Sequence, residues 1–178
     1  MTKPLSEQTA LVTGASSGIG RETARALARG GARVLLVSRG SGSGAEVAEA
    51  LRRETGNPEV HFYPADLSSQ AEVRRVAAAV RRDAARLDLL VNNAGALFSE
   101  RKRSADGLEL TFALDHLSYF LLTVLLTEPL LKSPAPRIVS VASSAANFAR
   151  LDFGDLQKTR RYRPFGAYSQ PKLANIMF

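Results

Sequence analysis

A glycine-rich turn set between a short apolar run and an amphipathic helical stretch limits what this chain can become. Thr9-Ala-Leu-Val-Thr13 reads as a strand. Ile19 to Arg29 repeats at helical spacing, with Ile19, Thr23, Ala26 and Leu27 on one face and Arg21, Glu22, Arg25 and Arg29 turned away. Between them, Thr13-Gly-Ala-Ser-Ser-Gly-Ile-Gly20 places glycines at 14, 18 and 20. A phosphate needs close backbone approach and free N–H donors at a helix N-terminus, and glycines permit both. A glycine motif alone is weak, because turns are often glycine-rich. In this strand–turn–helix setting it predicts a dinucleotide seat that uses Gly14, Ser16, Ser17, Gly18, Ile19 and Gly20.

The rest of the chain repeats the alternation. Gly30-Gly31 supplies a left-handed helix stop, and Arg33-Val-Leu-Leu-Val-Ser38 is a continuous apolar strand. Ser41-Gly-Ser-Gly44 reads as a break before a helix from Ala45 to Glu54, which ends at Gly56-Asn57-Pro58. Val60-His-Phe-Tyr63 is a third strand, and the capping box Ser69-Gln-Ala-Glu72 opens a helix through Arg86. Leu87 to Val91 is a fourth strand. A loop from Ala94 to about Ala105 leads to a long apolar helix, about Leu108 to Leu131. Pro134 and Pro136 separate it from a fifth strand, Arg137 to Val141; an extended loop, Ala145 to Phe165, precedes a last helix that begins near Ala167. Short apolar strands joined by helical crossovers predict an α/β fold, a Rossmann-like, doubly wound parallel sheet in three α/β/α layers. The 178 residues, with no repeat or linker, read as one dinucleotide-binding domain, 1–178. The sequence stops at Asn175-Ile-Met-Phe178 inside an uncapped apolar helix, so a C-terminally truncated domain is expected, its last strands missing.

Composition narrows the chemistry. With 45% apolar and 23% charged residues, a disordered, collagen-like or disulfide-stapled chain is excluded. There is no cysteine, hence no thiolate metal site or cysteine nucleophile, and His61 and His116 have no partners at ligand spacing; no metal site is expected. The N-terminus, Met1 to Thr9, lacks a signal-peptide core. Phe112 to Leu131 contains Asp115, His116, Glu128 and Pro129 and reads as a buried helix; no membrane span and a cytoplasmic location are expected. The net charge of +7 comes in scattered pairs such as Arg52-Arg53 and Arg160-Arg161, which suit solvated helix faces and an anionic ligand better than a nucleic-acid surface; no nucleic-acid partner is expected.

At the end of the second strand, where an acid would bind a ribose 2′-hydroxyl, stands Ser38-Arg39. An arginine can neutralise a 2′-phosphate, which favours NADP(H) over NAD(H), though Arg39 could also simply lie on the surface. Asp66, with Leu67 beside it, follows the third strand. Asp66 is placed for the adenine amino group or, alternatively, for the approach to the next helix.

The glycine turn, Asn92-Asn-Ala-Gly95 and Tyr168-Ser-Gln-Pro-Lys172 together resemble the short-chain dehydrogenase/reductase family. Asp115-His-Leu-Ser-Tyr-Phe-Leu-Leu-Thr123, Arg137-Ile-Val-Ser-Val-Ala-Ser-Ser144 and Lys172-Leu-Ala-Asn-Ile-Met-Phe178 resemble its retinol-dehydrogenase-like branch. The resemblance implies hydride transfer between NADP(H) and a lipophilic carbonyl or alcohol. It implies that Asn93 contacts the cofactor, Ser144 bonds the substrate carbonyl (with Ser143 as competitor), Tyr168 moves the proton, and Lys172 holds the nicotinamide ribose and assists Tyr168. It also implies pairing of an intact parent into homo-oligomers. The chemistry of the pair stands without the family: residues i and i+4 share a helix face, and an ammonium beside a phenol favours the phenolate.

Two positions depart from the pattern. Asp115 stands where the family's proton relay carries asparagine; a carboxylate accepts but cannot donate, and it could pair with Lys172. Pro171 replaces the usual serine and is tolerable only if the helix starts at about Ala167 to Ser169. Phe148, Phe153, Tyr162 and Phe165 could wall a lipophilic pocket or pack their loop down. The competing reading of the whole is a non-catalytic dinucleotide-binding chain.

Overall fold

The computed structural model describes residues 4–178; residues 1–3, part of the N-terminal stretch read above, lie outside the described residues. After a short 3₁₀ turn at Leu5–Glu7, five parallel strands form one sheet: β1 (Thr9–Thr13), β2 (Arg33–Ser38), β3 (Val60–Pro64), β4 (Leu89–Asn92) and β5 (Arg137–Ser140). Their spatial order is β3-β2-β1-β4-β5, so the chain reverses direction across the sheet between β1 and β4. Because side chains alternate along a strand, β1 feeds two cores. Leu11 joins Leu35, Val37 and Leu90 on one face, and Val12 joins Val34, Leu36 and Val91 on the other. The first core is covered by α3 (Gln70–Asp83) and the apolar helix before β5, the second by α1 (Gly18–Arg29) and α2 (Ser41–Thr55). This is the expected three-layer, Rossmann-like arrangement.

The elements depart from expectation where packing overrides local pattern. The buried stripe of α1 is Gly20, Ala24 and Ala28, with Leu27 half-buried; Ile19 and Ala26 are exposed. The smallest residues face the sheet because α1 starts hard against the turn: a Cβ on Gly20 would lie 2.5 Å from the Gly14 carbonyl oxygen. Ser41 to Gly44 is not a break but the first turn of α2, which begins directly after Gly40 at φ +73°. Ser69 caps α3 as predicted, accepting the Glu72 N–H at 3.5 Å, but the helix ends at Asp83 and not at Arg86.

The long apolar helix is segmented: α4 (Leu110–Phe112), a π turn (Ala113–Leu117), α5 (Ser118–Leu125) and, past Leu126, α6 (Thr127–Leu131). Buried Glu109 caps its start, its carboxylate accepting the N–H groups of Thr111 at 2.9 Å and Phe112 at 2.8 Å. The loop before the last helix is pinned at several points. It opens with a 3₁₀ turn, Ser144–Phe148; Gln157 accepts the Glu109 N–H at 2.7 Å, and Gln170 donates to the Leu156 carbonyl at 2.9 Å. That helix, α7 (Pro164–Met177), begins at Pro164, three residues earlier than expected, which puts Pro171 well inside it.

Candidate active site

Parallel strands deliver their following loops to one edge of a sheet, and a crevice opens where the strand order reverses. Here it lies between the loops after β1 and β4. Thr13, the last residue of β1, is the clasp: its hydroxyl donates to the Val91 carbonyl at 3.3 Å and accepts the N–H groups of Asn93 at 2.8 Å and Ala94 at 3.0 Å. Asn93 returns the contact, its amide donating to the Thr13 carbonyl at 2.8 Å. Asn93 was legible in the sequence and Thr13 was not singled out, although a hydroxyl residue closing a strand just before the glycine turn was a visible signal.

The crevice is an open cleft of about 950 Å³. Along its floor lie Gly14, Ser16, Ser17, Gly18 and Ile19 from the glycine turn, and Arg39 and Leu67 border one end. Asn93 sits in the middle, and Tyr168 and Lys172 of α7 close the far end. Gly14 and Gly18 have φ of +66° and +55°, which glycine adopts without strain. A Cβ on Gly14 would come within 2.8 Å of the Ala94 backbone. Gly20 does not line the cleft; it lets α1 dock beneath it, since a Cβ there would lie 2.5 Å from the Asn93 amide nitrogen.

Asp66 and Ser144 are also elsewhere. Asp66 is exposed outside the lining, and its Oδ1 accepts both the N–H (3.0 Å) and the hydroxyl (2.8 Å) of Ser68, while its neighbours Ala65 and Leu67 do face the cleft. Ser144 is exposed and outside the lining; Ser143 is inside it. The strand ends at Ser140, so the chain turns into the 3₁₀ helix with Ser143 as its cap, and the Ser143 hydroxyl accepts the Ala145 N–H at 3.2 Å. Ala142 and Val141 complete that wall.

Lys172 is the electrostatic centre of the far end, although only 3% of the residue is exposed. Its ammonium lies 5.5 Å from the ring centre of Tyr168 and 5.6 Å from that of Tyr119. It donates to the Val141 carbonyl at 3.3 Å, and the Asp115 carboxylate is 3.4 Å away. Asp115 is fully buried behind the cleft wall. Burial raises its carboxyl to about 6, opposed only in part by Lys172 and by the Ala96 N–H. Burial also pushes the Tyr119 hydroxyl up, reinforced by the nearby Asp115. Among the described residues no group of three metal-ligating side chains occurs, and no helix is long and apolar enough to cross a membrane.

A parallel sheet whose strand order reverses beside a glycine turn and a helix N-terminus defines a Rossmann-like, dinucleotide-binding architecture. The chain belongs to the short chain dehydrogenase family, whose family model matches residues 8–153. It is 41% identical over 177 residues to retinol dehydrogenase 11 of Homo sapiens, covering 99% of this chain and 56% of that protein. A solved structure of an uncharacterized protein from Mycobacterium Paratuberculosis superposes with a TM-score of 0.85 at 37% identity, covering 96% of this chain and 59% of the other. A short chain dehydrogenase from Escherichia coli CFT073, complexed with NADPH, superposes with a TM-score of 0.76 at 29% identity, covering 94% of this chain and 67% of that one. The chain spans about half the length of the curated relatives it matches.

Proposed function

We propose that this chain carries the cofactor seat and the proton-transfer groups of an NADP(H)-dependent carbonyl reductase or alcohol dehydrogenase for a lipophilic substrate. The observation that carries the reading is one cleft lined by the glycine turn, Arg39, Ser143, Tyr168 and Lys172 together. Human retinol dehydrogenase 11 and the NADPH-bound Escherichia coli structure support the substrate class and the cofactor.

The glycine turn offers backbone N–H donors to a pyrophosphate, and Arg39 offers positive charge to a 2′-phosphate. The nicotinamide supplies the hydride when bound. The Tyr168 hydroxyl gives its proton to the substrate oxygen in reduction and takes it back in oxidation. Ser143 polarises the same oxygen: its own oxygen already accepts from Ala145, which orients the hydroxyl and leaves its hydrogen to donate. Lys172, held by the Val141 carbonyl, supports the phenolate form of Tyr168 and faces the ribose.

Tyr168→Phe is the deciding variant. It is expected to lower NADPH-dependent reduction of lipophilic aldehydes by about 100-fold or more, with NADPH binding, followed by nicotinamide fluorescence, unchanged. Retained turnover sinks the reading. If the unmodified chain binds NADPH and reduces nothing in a broad carbonyl panel, the non-catalytic alternative replaces it. Ser143→Ala should be far more damaging than Ser144→Ala; the opposite ranking returns the role to Ser144. Arg39→Ala should weaken NADPH about tenfold and leave NADH unaffected, and equal losses would remove the 2′-phosphate assignment.

A further inference from the structure

Resting on the Tyr168–Lys172 reading above, we propose that Asp115 is a positioning residue. It is the buried counter-ion of Lys172, and it holds the ammonium beside Tyr168 while tempering the ammonium's pull toward the phenolate.

The geometry isolates the pair. Asp115 Oδ1 is fixed by the Ala96 N–H at 2.9 Å. Its Oδ2 is buried without a hydrogen-bond partner and lies 3.4 Å from Lys172 Nζ. Gly95 leaves the two free to face each other, because a Cβ there would lie 2.9 Å from Oδ2 and 3.0 Å from Nζ. The π turn that carries Asp115 is locked to α7: the Asn175 amide donates to the Asp115 carbonyl at 2.7 Å, and the Asn175 side-chain oxygen lies 2.8 Å from His116 Nδ1. The ionisable groups around the pair are Tyr168 on α7, Tyr119 on α5 and Glu109 before α4; the neighbouring His116 is engaged by Asn175. An asparagine, as the family resemblance leads one to expect here, would fill the same space with no charge. The carboxylate instead partly neutralises the cation on which the phenolate depends. With its carboxyl at about 6, Asp115 is ionised throughout the alkaline range where phenols titrate.

Near-ultraviolet tyrosinate absorbance of the full chain, followed on alkaline titration, reads the effect without turnover. Of the four tyrosines, Tyr63 is pushed up to about 12, and Tyr119 and Tyr162 are raised as well, so their ionisation is displaced to higher pH. The step that Tyr168→Phe abolishes is expected to move down by about one pH unit in Asp115→Asn, the effect of losing one nearby negative charge. Asp115→Ser, which also removes the charge, should shift it the same way. If Asp115 only braces the wall, both variants loosen Lys172 and the step moves up. An upward move or no move in both overturns the proposal and leaves the Tyr168 reading standing. If the wild-type chain shows no step that Tyr168→Phe removes, the reading beneath it falls as well.

Discussion

Asp88 lies under the amino ends of β1 and β4, where its carboxylate accepts the Thr9 N–H at 2.9 Å and the Ser133 hydroxyl at 2.6 Å and pairs with Arg86. Burial works against its charge, yet the hydrogen bonds from Ser133 and Thr9 hold its carboxyl below the ordinary 3.8. Such a group stabilises the fold fully above the unfolded value, and that stability is lost as pH falls through the folded one. Asp115 acts with the opposite sign. Its folded value of about 6 exceeds 3.8, so the folded state binds the proton more tightly. Stability from this group should fall by roughly 3 kcal/mol as pH rises from about 4 to about 6 and stay level above. Urea denaturation across that range is expected to show the decline in the wild type and a flatter profile in Asp115→Asn; matching slopes would show that the buried carboxylate does not titrate as described. Neither environment was legible from residue identity, since burial and partners belong to the folded state. The Asp115–Lys172 pairing was legible, because helical spacing and the family pattern bring both to one end of the sheet.

Among the elements, α7 carries Tyr168 and Lys172 into the cleft in spite of its own sequence. Pro171 is the eighth residue of that helix, not in its first turn, and has no N–H to give the Ala167 carbonyl. Pro171→Ala is therefore expected to raise stability by about 1–3 kcal/mol, the lost ring packing offsetting part of the gain. A loss of melting temperature in that variant would mean the ring contributes more to the packing of α7 than the missing bond costs. Pro164, a favourable first helical residue, was a readable start signal, hidden by the polar Arg160-Arg-Tyr-Arg163 stretch before it. The π turn in the long helix was not readable. Periodicity reports a run of apolar residues, whereas the extra residue in the turn is held by a contact from α7, more than fifty positions away. Strand ends were placed within two residues, because β-branched and leucine runs bounded by glycine and proline leave little freedom.

Across the whole molecule, the parallel sheet and its two covering layers followed from the alternation of strand and helix, while the surface did not. Phe120 and Val124 of α5 are about half exposed beside Phe178, whose ring centre lies 5.4 Å from that of Phe120, and Ile138 and Val139 are exposed on β5. Exposed apolar surface of this kind promotes association. Replacing Phe120 and Val124 with glutamate should reduce self-association in sedimentation velocity while leaving the melting temperature within a few degrees; unchanged association would move the contact elsewhere. Every group assigned to the cleft, from Gly14 to Lys172, precedes the last turn of α7. The lining of the cleft is thus drawn from the loops that follow all five strands and from one face of α7.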